Sequence, residues 1–149
     1  MKRIKLLIMI LILSIGLIGC TKKQIHSYQE ANINEYLDEL YDTINDEKLK
    51  YVAVDLRTKD YYEEEHIRQF QNYDLDSGSL EELTTWLKGN YSKKYYVFIF
   101  SENPIDQNFL NFLEDHYQWV YIYTGLYELL KAQASTSFIL ESGPYNCAC

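Results

Sequence analysis

The stretch YYVFIF (residues 95–100) decides the fold class, because every one of its side chains is apolar. A run of this length is too short for a buried helix and is typical of a strand covered on both faces, as in a parallel sheet. The stretches YVAVDL (residues 51–56) and WVYIYT (residues 119–124) have the same character. We therefore expect residues 95–100 to form the central strand. Aromatic strands of this kind also explain the fifteen tyrosines more simply than a sugar- or peptide-binding surface does.

Segments with helical periodicity separate these strands. One apolar helix face is formed, at steps of three and four residues, by Ile33, Tyr36, Leu37, Leu40, Tyr41 and Ile44. A further helix is expected at residues 126–133 and a brief strand at residues 72–76. Strands that alternate with helices of this length indicate crossover connections. The sequence thus predicts a single α/β domain over residues 32–134, with a mainly parallel central sheet flanked by helices on both faces.

Capping residues mark the expected ends of the helices. Ser79 lies three residues before Glu82, which is the spacing of a capping box, and we expect that helix to end at Gly89. Thr58 and Asp106 are the expected caps of two other helices.

The first nineteen residues have the layout of a secretory signal. Three basic residues occur within the first five positions, an apolar segment follows at residues 6–18, and Gly19 then precedes Cys20. The apolar segment is shorter than the roughly 20 residues that cross a bilayer. The stretch LIGC (residues 17–20) looks like a bacterial lipobox. We therefore expect residues 1–19 to be a lipoprotein signal peptide and Cys20 to be lipidated, rather than a plain signal or a membrane anchor.

A lipidated Cys20 would hold the protein on the outer, extracytoplasmic face of the cell membrane, with residues 20–31 as the lipidated cysteine and its polar tether. From Cys20 onward the chain carries eleven basic and twenty-two acidic residues, a formal charge of −11. That charge argues against nucleic acid as a partner. The expected partners are the membrane, through the lipid anchor, and an unknown protein or small ligand.

The segment VDLRTKDYYEEEHIRQFQN (residues 54–72) resembles the first half of a rhodanese-like domain. Members of that family carry an Asp-x-Arg motif at the end of a core strand, then Thr or Ser, an aromatic residue, a His-Ile pair and an asparagine. The matching positions hold, in order and without insertion, Asp55, Arg57, Thr58, Tyr62, His66, Ile67 and Asn72. The stretch VYIYTGLYEL (residues 120–129) resembles the segment before the family's last helix, with Gly125 at the family's glycine. The resemblance covers about residues 33–132.

The same residues also have a structural interpretation. Asp55 and Arg57, two residues apart at a strand end, can pair and hold the following loop. His66 and Asn72 can satisfy backbone groups on the way to the next strand. His66 has no second histidine or cysteine near it in the sequence, so a role as a base or a metal ligand has little support. We expect a structural motif, no metal and no cofactor.

The resemblance breaks down at the active centre. Rhodanese-like enzymes place a cysteine directly after the central strand, and the ungapped position here is Ser101. A thiolate can carry sulfur as a persulfide, whereas a serine hydroxyl cannot. The following loop, residues 102–106, contains a proline and two carboxylates, which oppose the binding of an anion. Hydrolase chemistry at Ser101 would need a base, and no motif places His66 or His116 beside it.

The C-terminal tail, residues 135–149, ends in Cys147-Ala148-Cys149. These cysteines could form a strained, oxidising disulfide, an inert bridge, or a link between copies of the chain. The function predicted from the sequence is a binding or interaction module at the cell surface that lacks sulfurtransferase activity. The alternative is a thiol-redox or sulfur-handling protein that uses Cys147 and Cys149.

Overall fold

The computed structural model of the protein describes residues 24–145. The expected signal peptide, the lipidation site Cys20 and the possible redox pair Cys147 and Cys149 lie outside the described residues. Within residues 24–145, no helix has the length and apolar character needed to cross a bilayer.

A parallel sheet forms the centre of the described part of the chain. Its five strands are ordered β1-β6-β5-β2-β4, and a separate antiparallel pair joins β3 to β7. The strands are β1 (Gln24–Tyr28), β2 (Tyr51–Asp55), β3 (His66–Ile67), β4 (Phe70–Asn72), β5 (Tyr96–Ser101), β6 (Trp119–Thr124) and β7 (Leu140–Glu141). β5 lies in the middle of the sheet, which confirms the central strand predicted from YYVFIF.

Helices cover both faces of this sheet. They are α1 (Ile33–Asn45), α2 (Lys59–Glu64), α3 (Leu80–Asn90), α4 (Gln107–His116) and α5 (Tyr127–Ala134), and a short 3-10 turn (Glu30–Asn32) precedes α1. Side chains of α1 and α5 share one core with the sheet, and those of α3 and α4 share the other. The expected α/β class and the expected helix layers on both faces are thereby confirmed.

The two cores differ in side-chain type. The core under α3 and α4 takes the aliphatic residues of the three central strands, which are Val52, Val54, Val97, Ile99, Val120 and Ile122. The opposite core takes mainly rings from the same strands, including Phe98, Phe100, Tyr121 and Tyr123, with Tyr51 and Tyr96 packed against its margin. Phe98 and Tyr121, for example, stack with their centroids 4.8 Å apart. Many of the tyrosines therefore serve as packing residues of the sheet.

Residues 24–28 correct the expectation of a tether that continues to residue 31. They form β1, which pairs in parallel with β6, Gln24 opposite Trp119. Because β1 is an edge strand, it needs only a few apolar contacts, and these come from both faces. Ile25 packs against the aliphatic core, Tyr28 is buried in the aromatic core, and the His26 ring stacks on Tyr121 at 5.0 Å.

Two of the expected helix caps are confirmed. The Glu82 amide donates to Ser79 Oγ at 3.2 Å, and the Ser79 amide donates to a Glu82 carboxylate oxygen at 2.9 Å, which completes a capping box at the start of α3. At the start of α4, the Asn108 amide donates to the Asp106 carboxylate at 2.8 Å. These local patterns fix where both helices begin.

Two other cap expectations need correction. Thr58 occupies the N-cap position of α2, but among the described residues its hydroxyl accepts no capping bond. The Lys59 amide donates instead to the Asp74 carboxylate at 3.1 Å, so a residue from the loop after β4 satisfies this helix start. Gly89 does not end α3, which continues to Asn90.

The expected strand at residues 72–76 is displaced towards the N-terminus, because β4 ends at Asn72 and the following residues turn around the Asp74 side chain. The expected C-terminal tail also packs on the domain as far as it is described. Phe138 is buried in the aromatic core, and the Arg68 amide donates to Ile139 O at 2.9 Å. The folded domain therefore extends beyond residue 134.

Candidate functional site

The carboxyl edge of the parallel sheet carries a cleft of about 260 Å³. The C-terminal ends of neighbouring strands meet at this edge, which is where open α/β sheets bind ligands. The cleft is lined by Leu56, Arg57, Thr58, Tyr61, Leu75, Asp76, Leu80, Ser101, Glu102, Asn103, Pro104, Ile105 and Asp106. Two predicted site residues, Arg57 and Ser101, thus lie on one cleft.

Ser101 is the last residue of β5 and is 5% exposed. Its hydroxyl donates to the Asn103 carbonyl at 2.7 Å and accepts from the Asn103 amide at 3.2 Å. Both bonds return to the loop that Ser101 itself begins. The only proton of the hydroxyl is therefore held by a backbone carbonyl, which is unlike the arrangement of an activated nucleophile, where a base takes that proton.

The side chain of Glu102, in the loop after β5, lies at the start of α5. The Tyr127 amide donates to a Glu102 carboxylate oxygen at 2.9 Å. The N-cap residue of that helix is Leu126, whose side chain cannot accept a hydrogen bond. Since a helix N-terminus attracts negative charge, the carboxylate of Glu102 takes the place that a bound anion would otherwise use.

The rest of the loop also disfavours anions. Pro104 has no amide proton to donate. The carboxylate of Asp106 caps α4, so both helix starts beside Ser101 hold a carboxylate of the protein itself. Asp76 adds a third carboxylate to the lining of the cleft. The cleft is accordingly suited to neutral or cationic groups.

Arg57 and Asp55 form a buried ion pair, as the sequence predicts. The guanidinium Nη2 lies 2.7 Å from the Asp55 carboxylate, and the two side chains are 5% and 2% exposed. Burial raises the pKa of the Asp55 carboxyl, and the bonds from Arg57 oppose that shift. Arg57 also donates to Glu65 O at 2.9 Å and lies 3.6 Å from the centroid of the Tyr127 ring. Arg57 therefore links the end of β2, the end of α2 and the start of α5, and its guanidinium has a structural role.

His66 and Asn72 contact backbone carbonyl groups of neighbouring segments. Asn72 Nδ2 donates to the carbonyl oxygens of Asp55 and Arg57 at 3.2 and 2.8 Å, which ties the end of β2 to β4. The His66 ring is fully buried, lies 2.9 Å through Nδ1 from Tyr62 O, and stacks on the Tyr62 ring at 3.8 Å. The ring therefore packs the inside of the domain.

His66 and His116 give no support to hydrolase chemistry at Ser101. His66 is engaged with Tyr62, and His116 is the last residue of α4, a helix that begins at the carboxyl edge and ends at the opposite edge. Within residues 24–145, no group of three or more His, Cys, Asp or Glu side chains could hold a metal ion.

Two contacts of the site were not foreseen from the sequence. These are the bond from Glu102 to the start of α5 and the packing of Tyr127 against Arg57. Residues 102 and 127 are 25 positions apart, so no local pattern joins them. The one signal available was the lack of a capping side chain at Leu126 beside an acidic loop.

A second hollow of about 340 Å³ lies beside the cleft. Arg57, Tyr61 and Glu102 line both cavities, and Tyr127 lines the second one only. The other charged residues of this hollow are Glu64, Glu65, Glu128 and Lys131. The Lys131 ammonium contacts the Glu65 carboxylate at 2.5 Å, and this hydrogen bond raises the pKa of Lys131. Carboxylates outnumber cations here too, so the acidic character of the cleft extends into this hollow.

A comparison with protein families agrees with this geometry. The family model described as a rhodanese-like domain matches residues 36–133, from α1 to α5 and so over more than half of the chain. A search of curated proteins gives no match. The chain belongs to the rhodanese-like domain family.

Proposed function

We propose that this protein is a lipid-anchored binding module with a rhodanese-like domain, held at the outer face of the cell membrane and without sulfurtransferase activity. One observation carries the proposal. Ser101 ends the central strand β5, where the resemblance places the cysteine of the family's enzymes, and its hydroxyl is bonded to the Asn103 backbone. Serine cannot carry a persulfide, so the step on which sulfur transfer depends has no acceptor in this cleft.

The charges of the cleft support the same conclusion. Thiosulfate and related sulfur donors are anions, and a site for them needs inward-turned amide protons or free basic side chains. Here the carboxylates of Glu102 and Asp106 cap the two adjacent helices, and the guanidinium of Arg57 is paired with Asp55. An incoming anion would meet like charges.

The proposed ligand is an exposed, cationic segment of a protein. The cleft lies below the 300–1,000 Å³ that small-molecule sites usually occupy, yet one long side chain can enter it. Tyr61 and Leu126 stand beside the carboxyl edge with 61% and 56% of their surfaces exposed. Exposed aromatic and aliphatic residues next to a charged cleft are typical of a protein interface.

The proposal for the anchor is based on the sequence of the leader. A basic start, a short apolar segment and the LIGC stretch that ends in Cys20 together match a lipoprotein signal. Bacterial processing would attach at least two acyl chains, and two chains are what lasting membrane attachment requires. The Cys20→Ser variant would then lose its lipid mass. In a detergent phase-separation assay, the parent protein should enter the detergent phase with diacylglycerol attached.

The test for catalysis compares three proteins under reducing conditions: the parent, Ser101→Ala, and Cys147→Ser with Cys149→Ser. We expect none of them to produce thiocyanate from thiosulfate and cyanide, and none to gain the mass of one sulfur atom. Turnover that is lost in Ser101→Ala would contradict the proposal. A sulfur adduct that is lost in the double cysteine variant would instead establish the sulfur-handling alternative.

The test for binding uses acetyl-arginine amide as the cationic probe and thiosulfate as the anionic one. The neutral acetyl-citrulline amide is a matched control, since it keeps the shape of arginine and removes its charge. We expect the arginine probe to shift the backbone amide signals of residues 101–106 in NMR spectra. An equal response to thiosulfate, or no response to the arginine probe, would count against a cation-binding cleft.

A further inference from the structure

The amino edge of the sheet is where the chain enters the domain. Gln24, Trp119, Tyr96 and Tyr51, the first residues of four parallel strands, form one row of cross-strand partners. Cys20 precedes Gln24 by four residues, and an extended chain of that length spans at most about 14 Å. An anchor at Cys20 would therefore hold the amino edge close to the bilayer. The cleft lies at the other end of the strands.

The lysines without ion pairs gather at this edge. Within residues 24–145, four of the five such lysines lie in the two loops that lead into β2 and β5. They are Lys48, Lys50, Lys93 and Lys94. The fifth is Lys88, in the last turns of the helix before the second loop. In the sequence, Lys22 and Lys23 directly precede Gln24.

An aromatic residue stands among these lysines. Trp119 is 37% exposed, and its ring stacks on that of Tyr96 with centroids 4.7 Å apart and planes 1° apart. The two rings share a hollow of about 500 Å³ with Lys48, Lys50 and Lys94. Tryptophan and tyrosine favour the interface between lipid and water, and lysines beside it are attracted to anionic headgroups.

Acidic residues of the same edge offset much of this charge. Asp46 and Glu47 precede Lys48 in the loop before β2, and the Lys48 amide donates to the Asp46 carboxylate at 3.0 Å. Two carboxylates thus face four lysines in the two loops, and Asp42, Glu114 and Asp115 in the last turns of α1 and α4 add acidic charge to the same edge. The opposite edge is acidic, with Glu102 and Asp106 at the cleft. The domain therefore has a charge asymmetry along its strands, although its net charge is negative.

The geometry points to a membrane-docking surface at the amino edge, made of Lys48, Lys50, Lys93, Lys94 and Trp119 and directed at the anionic lipids of the membrane that holds the anchor. The inference depends on the proposed lipidation of Cys20, which brings this surface to the bilayer. β5 has six residues, so the cleft is presented about 17 Å further from the membrane along the strands. Docking orients the domain with its cleft outward.

Tryptophan fluorescence tests the orientation, because the chain has two tryptophans. The lipidated full chain is placed in phosphatidylcholine vesicles, with or without phosphatidylglycerol, that contain brominated acyl chains. The Trp86→Phe variant then reports on Trp119 alone, and Trp119→Phe reports on the partly buried Trp86 as the control. We expect quenching of Trp119 in the anionic vesicles only, its reversal at high salt, and no change for Trp86.

Charge variants test the surface without the anchor. The chain from residue 21 contains every described helix and strand, and its binding to anionic vesicles can be measured by sedimentation at low salt. Loss of one lysine near the surface weakens such binding about fivefold, so Lys50→Gln with Lys94→Gln should weaken it about 25-fold. The matched control, Lys59→Gln with Lys131→Gln, removes the same charge at the carboxyl edge and should have little effect.

The outcomes separate the two proposals. The full chain can float with neutral vesicles only through the lipid attached to Cys20. Failure to float would therefore contradict the proposed anchor. Flotation with Trp119 quenched no more than Trp86 would keep the anchor and overturn the docking surface. An equal loss of binding to anionic vesicles in the two pairs of lysine variants would also overturn the docking surface. The attraction to anionic lipid would then not depend on the lysines of the amino edge.

Discussion

The Arg57→Met variant tests whether the buried ion pair holds the carboxyl edge together. Methionine keeps most of the side-chain stem and removes the charge, so the Asp55 carboxylate, which is 2% exposed, is left without its partner. Removing one member of a buried pair costs about 3–5 kcal/mol. The guanidinium also lies over the Tyr127 ring at 3.6 Å, a contact that contributes about 0.5–2 kcal/mol. We expect a loss of about 4 kcal/mol from the free energy of unfolding.

The stability lost in the Arg57→Met variant should also depend on pH, in a direction that the pKa of Asp55 determines. In the parent protein, burial raises the pKa of Asp55 and Arg57 opposes the shift, so the variant should have a higher Asp55 pKa than the parent. As the pH falls through that raised pKa, the folded variant takes up a proton and no longer holds a buried charge. The stability difference between parent and variant should therefore narrow as the pH is lowered from neutrality towards the ordinary pKa of aspartate.

Urea unfolding, followed by circular dichroism, measures both effects. Arg68→Met is the matched control, because Arg68 pairs with Glu141 at the surface with 45% of its side chain exposed. That variant should lose less than about 1 kcal/mol. A loss for Arg57→Met as small as that of the control, or one that does not change with pH, would refute the reasoning.

Three further perturbations test other parts of the fold. Glu102→Ala removes the carboxylate that caps α5, so its unfolding free energy in urea should fall by about 1 kcal/mol, and sulfate should then stabilise it more than the parent. Burial raises the pKa of Tyr117 from its ordinary value of 10.0 to about 12. Because the pKa of Tyr117 is higher in the folded than in the unfolded protein, its contribution to stability should be complete below pH 10 and be lost as the pH rises towards 12. Part of the increase in tyrosinate absorbance should be delayed to that range. Phe138→Ala should lower the unfolding free energy by about 3 kcal/mol if the described tail is part of the core.

Each of these has a clear contrary result. An unchanged stability for Glu102→Ala, with no effect of sulfate, would mean that the carboxylate does not hold the helix start. A single tyrosinate step near pH 10 would show that Tyr117 is open to solvent. A Phe138→Ala protein as stable as the parent would place the segment after α5 outside the cooperative fold.

The main elements of the fold could be predicted because their signals are local. The apolar run at residues 95–100 and the capping box at Ser79 depend on neighbouring residues, and both predictions hold in the structure. β1 could not be predicted in this way. Its five residues are mixed in polarity, and what makes them a strand is the free edge of β6, which lies about 95 positions away in the sequence.

The same distinction applies to the site. Asp55 and Arg57 are two residues apart, so their pairing follows from the sequence and the strand end. Glu102 and Tyr127 meet only because β5 and β6 are neighbours in the sheet. The role of Asp74 at the start of α2 depends in the same way on the pairing of β2 with β4. Contacts that depend on which strands are neighbours in the sheet therefore could not be predicted from the order of the residues in the sequence.

The division of the sheet into an aromatic and an aliphatic face also protects its register during folding. A strand that slips by one residue turns every side chain to the opposite face. In β5 such a slip would force Phe98 and Phe100 under α3 and α4, where valines and isoleucines fit, and would leave Val97 and Ile99 in spaces made for rings. One core would be overfilled and the other would contain cavities. Misaligned sheets are thus penalised twice, which favours correct pairing even though all three central strands are apolar at nearly every position.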